Sequence, residues 1–156
     1  MATRAVLDTS ALFPAALRDD LQSLAQAGLF VDIWSPWIIA ELNRVLTWRW
    51  IRRADGDLSR ANERDCGRAA KRMMEVLLAT FELVQPQPPY PAAWESLADV
   101  WDQPIWAAAK SGGARYVVSG NTRHFPPRDG AGEHSHEGIV YLTGEAFIAM
   151  ITGDAA

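Results

Sequence analysis

The chain has 156 residues, the length of one domain that can bury a real core. Its composition, 49% hydrophobic and 22% charged, is that of a water-soluble globular protein, and no apolar run approaches the roughly 18 residues of a membrane span. A net charge of −4 argues against a nucleic-acid partner, but its distribution argues the other way. Residues 44–72 carry nine of the fifteen basic residues and four acids, a segment of +5 beside a remainder of −9. A basic lobe next to an acidic remainder suits a metal-dependent nuclease, with carboxylates for metal and arginines for phosphate. The lone cysteine, Cys66, excludes an intramolecular disulfide and fits a reducing, cytoplasmic setting. It stands in a charged helical stretch without a nearby His and reads as a small helix residue.

In chain order, a short apolar run at 4–7 reads as an opening strand, with no signal peptide expected ahead of it. Asp8 follows directly, so its carboxylate leaves the carboxyl end of that strand, where open α/β sheets bind ligands. A helical pattern covers 14–27 and a strand covers 30–34. Ser35-Pro36 opens a helix over 36–50, Ser as N-cap and Pro at the first helical position. On that helix Trp37, Ile38, Leu42, Val45, Leu46 and Trp48 spread over an apolar arc of about 180°, and Glu41 falls inside it. A carboxylate there must be paired, protonated or metal-bound, because burying it alone is costly. Pairing with Arg44 or reaching water at the edge of the arc is the plainer reading.

The next helix is expected over 58–79. Arg60, Arg64, Arg68 and Arg72 recur every four residues on it and share one side, with Arg52, Arg53, Trp48 and Trp50 nearby. They suit phosphates and unpaired bases, or else form a solvated face paired with Glu63, Asp65 and Glu75. A strand follows at 81–84, then the stiff Pro-rich connection Gln85–Pro91.

Asp99 and Asp102 precede a helix over 103–111, with Pro104 in its first turn and Gly112-Gly113 at its end. Asp is a favoured cap residue, so capping is the local expectation for Asp102. A strand over 115–118 ends in Ser119-Gly120-Asn121, a second polar carboxyl end. Asn121 can weakly ligate a hard cation or simply make a turn, and Ser119, Thr9 and Ser10 can hold water or phosphate oxygens. His124 follows and can touch phosphate or a leaving oxygen, although a loop histidine facing water is the simpler reading. Residues 126–137 read as an exposed loop, and His134 and His136 within it lack a fixed third metal ligand. A strand at 138–142 and a helix at 144–152 close the chain. Most of the seven tryptophans are expected in the core or in helix packing. Strands alternating with helices imply parallel pairing through right-handed crossovers.

Three stretches then resemble one family. Val6–Leu12, Ser35–Leu46 and Asp102–Asn121 match, in order and spacing, the motifs of a PIN domain, and the likeness runs over essentially the whole chain, 1–156. The resemblance implies a single three-layer α/β/α domain around a central, mostly parallel sheet. It implies a metal-dependent ribonuclease, as in the VapC-like toxins of toxin–antitoxin pairs, using Mg²⁺ or Mn²⁺. The family's first, second and third acids map onto Asp8, Glu41 and Asp102, with Asp99 as the neighbouring acid. Where the family often has a fourth acid, this chain has Asn121, which leaves one or two metals open.

Phosphodiester hydrolysis builds negative charge that a hard divalent ion on oxygen ligands can stabilise. Three carboxylates can hold one such ion, and crowding them without it should raise at least one pKa. The expected partners are RNA and, for a toxin, an antitoxin; a homodimer stays open and a membrane is not expected. Two rivals remain. One is a catalytically weak RNA- or partner-binding module. The other is a phosphotransferase with Asp8 as nucleophile, which expects a second Asp where Ser10 stands.

Overall fold

The computed structural model describes residues 2–53, 59–87, 92 and 96–153. Asp55, Asp57, Leu58, Trp94 and most of the Pro-rich connection fall outside the described residues. The sheet has the order β3-β2-β1-β4-β6-β5, formed by β1 (Thr3–Leu7), β2 (Phe30–Trp34), β3 (Glu82–Leu83), β4 (Tyr116–Val118), β5 (Ser135–His136) and β6 (Ile139–Leu142). Every pairing is parallel except β5 with β6. The helices are α1 (Thr9–Leu12), α2 (Ala15–Gln26), α3 (Pro36–Arg53), α4 (Arg60–Leu78), α5 (Gln103–Ser111) and α6 (Gly144–Thr152). This is a three-layer α/β/α arrangement around a mostly parallel sheet. Helix α5 packs on β1, β2 and β4, while α2 packs on β2 and α6, and α3 pairs with α4. Among the described residues no helix is long and apolar enough to cross a membrane.

The central strands are buried on both faces, as parallel strands covered by helices must be. Val6, Leu7, Ile33, Trp34, Val117 and Val118 join Ile105, Trp106 and Phe147 in one core. Each such side chain contributes roughly 1.5–3 kcal/mol by leaving water. Strand β1 lies between β2 and β4, so consecutive crossovers leave it in opposite directions. That makes the carboxyl ends of β1 and β4 the topological switch point, where a crevice opens.

Two of these strands and helices depart from the sequence expectation. Residues 126–137 are not wholly loop: Ser135–His136 form β5, an antiparallel edge beside β6. The joining residues Glu137 and Gly138 both have positive φ, 49° and 78°, which is what a tight two-residue hairpin needs. Glu in the first of those places hid the turn, since Asn or Asp is the usual signal there. The short helix α1 was also hidden, because four residues give no helical period.

On the apolar arc expected for α3, Ile38, Leu42 and Leu46 are buried, but Trp37 and Trp48 are 42% and 49% exposed. Those two tryptophans are therefore not core, and Trp101, at 63%, is not either. Cys66 is free and buried in α4, a small helix residue. His134 bonds to the Pro126 carbonyl at 2.6 Å and packs edge-on against Phe125, while His136 packs against Trp106.

Asp32 is a buried acid in the middle of β2, accepting a hydrogen bond from the Thr80 hydroxyl at 3.1 Å. Burial pushes its carboxyl up to about 6, and the Thr80 bond only partly offsets that. The folded state thus penalises the ionised form. The penalty is in full force above pH 6 and disappears as pH falls from there toward the unfolded value. Asp32→Asn keeps an acceptor for Thr80 and removes the charge. It is expected to stabilise the fold by about 1–3 kcal/mol at pH 7.5, with the gain almost gone at pH 4. Thermal melts at both pH values check this, and an unchanged or lowered melting temperature at pH 7.5 would contradict it.

Candidate active site

Asp8 leaves β1 and stands at the N-cap position of α1, yet its carboxylate caps nothing. Instead Oδ2 accepts two hydroxyls, Ser10 Oγ at 2.6 Å and Ser119 Oγ at 2.8 Å. The two hydroxyls also meet each other at 2.9 Å. The backbone N–H of Asp8 donates to the Val118 carbonyl, so the clasp closes across the β1–β4 boundary. Among the described residues no hydrogen bond reaches Asp8 Oδ1, which is left for a further partner. The neighbouring loop comes unusually close. Gly120 N–H donates to Ser10 Oγ at 2.9 Å, and a Cβ on Gly120 would sit 3.1 Å from the Ser10 carbonyl oxygen. A glycine is what permits that approach.

Glu41 reaches the same place from α3. Thr9 Oγ1 donates to its Oε2 at 3.0 Å, so consecutive residues of α1 orient two different acids. Burial first, then the charge of Asp8, pushes the Glu41 carboxyl above its ordinary value; the Thr9 bond and Arg44 pull it back in part. Asp102 occupies the N-cap position of α5 but makes no side-chain cap bond, so the capping expectation is not met. Its carboxyl is pushed up to about 6 by burial and then by Asp99, with Asp8 and Glu41 adding to the effect and His124 opposing it. These shifts are the crowding of like charges in a partly desolvated cleft.

Asp99 sits in the turn before α5. Its Oδ1 accepts the Trp101 N–H at 2.9 Å and its Oδ2 lies 2.5 Å from His124 Nδ1. Asp102 is farther from that nitrogen, at 3.8 Å. Asn121 Nδ2 is 3.1 Å from the same nitrogen. One ring nitrogen carries at most one proton, and the 2.5 Å approach of Asp99 claims it, leaving Asn121 as a neighbour rather than a strong partner. Ligand atoms of Asp99, Asp102 and His124 all lie within 4.8 Å of one another, a grouping capable of holding a metal ion.

The four acids Asp8, Glu41, Asp99 and Asp102 line one open cleft of about 960 Å³, with Thr9, Ser10, Arg44, Asn121 and His124. Ser119 lies behind it in a narrow crevice with Asp8, Asp102 and Tyr141. Tyr141 is a site residue that sequence reasoning missed, because an aromatic in a strand reads as core. Its hydroxyl is buried without a partner among the described residues, and burial followed by the charges of Asp102 and Asp8 raises its pKa.

Arg60, Arg64, Arg68 and Arg72 are exposed on α4 and do not line the cleft; Arg68 pairs with Asp65. A different set does continue it. Phe13, Arg44 and Val45 lead into a groove of about 650 Å³ with Trp48, Arg49, Arg52 and Arg53. Arg49 lies over the Phe13 ring at 4.4 Å and donates to the Phe13 carbonyl. Partial burial and then the charges of Arg53 and Arg18 press its pKa below the ordinary arginine value. Sequence periodicity favoured the four evenly spaced arginines, whereas the groove draws on uneven ones at the end of α3.

The family model described as PIN domain matches residues 4–123, which contain all four acids and the whole Asp8 clasp. No curated protein matches. The crystal structure of PAE2754 from Pyrobaculum aerophilum is similar over 98% of both chains, with a TM-score of 0.60 and 18% identity, a likeness of fold. The chain belongs to the PIN-domain family, a nuclease-type fold.

Proposed function

We propose that the chain is a divalent-metal-dependent endoribonuclease that hydrolyses RNA phosphodiester bonds in the cleft at the carboxyl ends of β1 and β4. The observation that carries this reading is the convergence of Asp8, Glu41, Asp99 and Asp102 on one open cleft. Burial and then Asp8 push Glu41 upward, and burial and then Asp99 push Asp102 upward, a state that a bound cation relieves. The donors are mostly hard oxygens, which fits Mg²⁺ or Mn²⁺. The unpartnered Tyr141 hydroxyl behind Asp8 and Asp102 fits a hydrated ion as well. Asp8, Glu41 and Asp102 would hold the ion, with Asp99 and the amide oxygen of Asn121 in support. When bound, it would neutralise charge building on the phosphoryl oxygens and make a water more acidic.

The chain's own residues do the rest. Ser10 and Ser119 hold Asp8 by Oδ2 and leave Oδ1 for a further partner. Thr9 holds Glu41 in place. Asp99 holds the Nδ1–H of His124 at the cleft edge, which leaves Nε2 as the ring nitrogen able to exchange a proton with a water, phosphate or leaving oxygen. Arg44, with Arg49, Arg52 and Arg53 in the adjoining groove, supplies phosphate contacts. This placement favours them over Arg60, Arg64, Arg68 and Arg72 as the substrate arginines. In a VapC-like toxin an acidic or apolar antitoxin segment would cover the same groove, and a small DNA-binding protein encoded beside this gene would support that role. A second reading, an RNA-binding module with little turnover, draws on Asn121, which adds no charge where a fourth acid is common and is turned toward His124. It expects RNA binding without cleavage in Mn²⁺.

Three outcomes are expected. Asp8→Asn should lower Mn²⁺-dependent RNA cleavage at least about 100-fold while the thermal melt stays cooperative; undiminished cleavage would remove the site assignment. Mn²⁺ competes with protons for Glu41 and Asp102, whose pKa values are raised, so its affinity should hold above pH 7 and weaken as pH falls through 6, by up to about tenfold per unit for one proton. Calorimetric titration at pH 5 and 7.5 checks this, and equal affinities would contradict it. Arg52→Ala with Arg53→Ala should lower RNA affinity about tenfold and flatten its salt dependence, whereas Arg68→Ala with Arg72→Ala should change it less than about twofold; the reverse order would restore the α4 stripe.

A further inference from the structure

Trp37 and Trp101 form an exposed aromatic pair on the lip of the acidic cleft. Their ring centroids are 5.8 Å apart and their planes 29° from parallel. They are 42% and 63% exposed, among the largest apolar surfaces the described residues leave to water. Both line the cleft that holds the acids. Their placement is coupled to those acids through the backbone. Trp37 lies one helical turn before Glu41 on α3, so the two share a face. Trp101 is adjacent to Asp102, and its N–H is held by Asp99, so the turn that presents two carboxylates presents this indole too. Two elements thus bring flat apolar faces to the cleft, which continues through Phe13, Arg44 and Val45 into the arginine groove.

We propose that the Trp37–Trp101 pair is a stacking platform for one unpaired nucleobase flanking the phosphate that is cleaved. This rests on the ribonuclease reading and adds a substrate requirement to it. An indole face gains most from a flat π-surface, and every base has one. In a duplex that surface is already covered by neighbouring base pairs, so only an unpaired or unstacked base can use the platform. Charge complementarity selects the same occupant: the cleft that carries the aromatic pair runs on into a groove with Arg44, Arg49, Arg52 and Arg53, as a strand of alternating bases and phosphates requires. A purine, with the larger face, is preferred over a pyrimidine on the platform.

The test separates the platform from the chemistry. A short unpaired RNA carrying 2-aminopurine is titrated with the full chain in EDTA at low ionic strength. Stacking quenches the fluorophore, and Trp101→Leu is expected to weaken quenching and binding about tenfold, with Trp101→Phe retaining most of both. An RNA abasic at the flanking position should bind the unmodified chain about as weakly as the intact RNA binds Trp101→Leu, an arm that needs no variant to fold. Quenching and affinity unchanged in Trp101→Leu, or equal affinity for abasic and intact RNA, would overturn the platform. So would a fully paired duplex bound as well as the unpaired strand. Cleavage in Mn²⁺ is read separately. Quenching without cleavage defeats the nuclease reading and leaves the platform standing, and equal kcat/KM for intact and abasic RNA does the opposite.

Discussion

The clasp on Asp8 Oδ2 is the constraint on which the rest of the site depends. Ser10 comes from α1 and Ser119 from the end of β4, and both hydroxyls donate to the same oxygen. The bonds therefore stitch β1 to β4 where the strand order reverses direction. A carboxylate accepting two hydroxyls on one oxygen is oriented as well as stabilised, and its other oxygen is left for a further partner. Gly120 allows the 119–121 segment to lie against Ser10 without a side chain in the way. The adjacent Thr9 carries the same order outward to Glu41. A short helix of four residues thus holds two acids from different elements in one arrangement.

The chain spends stability on this arrangement. Asp102 and Glu41 are both raised by burial and by other carboxylates, so gathering these acids in one cleft disfavours their charged forms. Asp32 makes an instructive contrast. It is raised to about 6 as well, but by burial with one Thr80 bond and no second carboxylate, so only a proton relieves it. At the cleft, four carboxylates line a common space, and two of them, Asp99 and Asp102, come within 4.8 Å of His124 in a group capable of holding a metal ion. The same shift in pKa thus marks a structural acid in one place and a candidate functional cluster in the other, and the neighbours decide which.

Much of this was legible in the sequence. Apolar runs gave the five principal strands, and the polar residues after the first and fourth of them gave Asp8 and Ser119. Glu41 was visible as a carboxylate on an apolar arc, and Asp102 as an acid before a helix. Capping chemistry pulled Asp102 the other way, and only the tertiary fold shows its carboxylate aimed at the cleft instead of at α5. Local pattern could not show the Asp99–His124 contact, which joins residues 25 apart through a loop. It also misplaced Trp37 and Trp48. The arc on α3 is apolar for two different reasons, core packing at Ile38 and Leu42 and an exposed aromatic surface at its edges. Helical periodicity records where side chains point and says nothing of which neighbour will cover them, so the evenly spaced arginines of α4 outshone the uneven ones that line the groove.

The most direct test of the central claim is the anomalous scattering of a crystal soaked in Mn²⁺. The account predicts an ion bound by the carboxylates of Asp8 and Asp102, with Ser10 and Ser119 still on Asp8 Oδ2. An ion held by Asp99 and His124 without Asp8, or no ion in the cleft at Mn²⁺ concentrations that saturate activity, would contradict it.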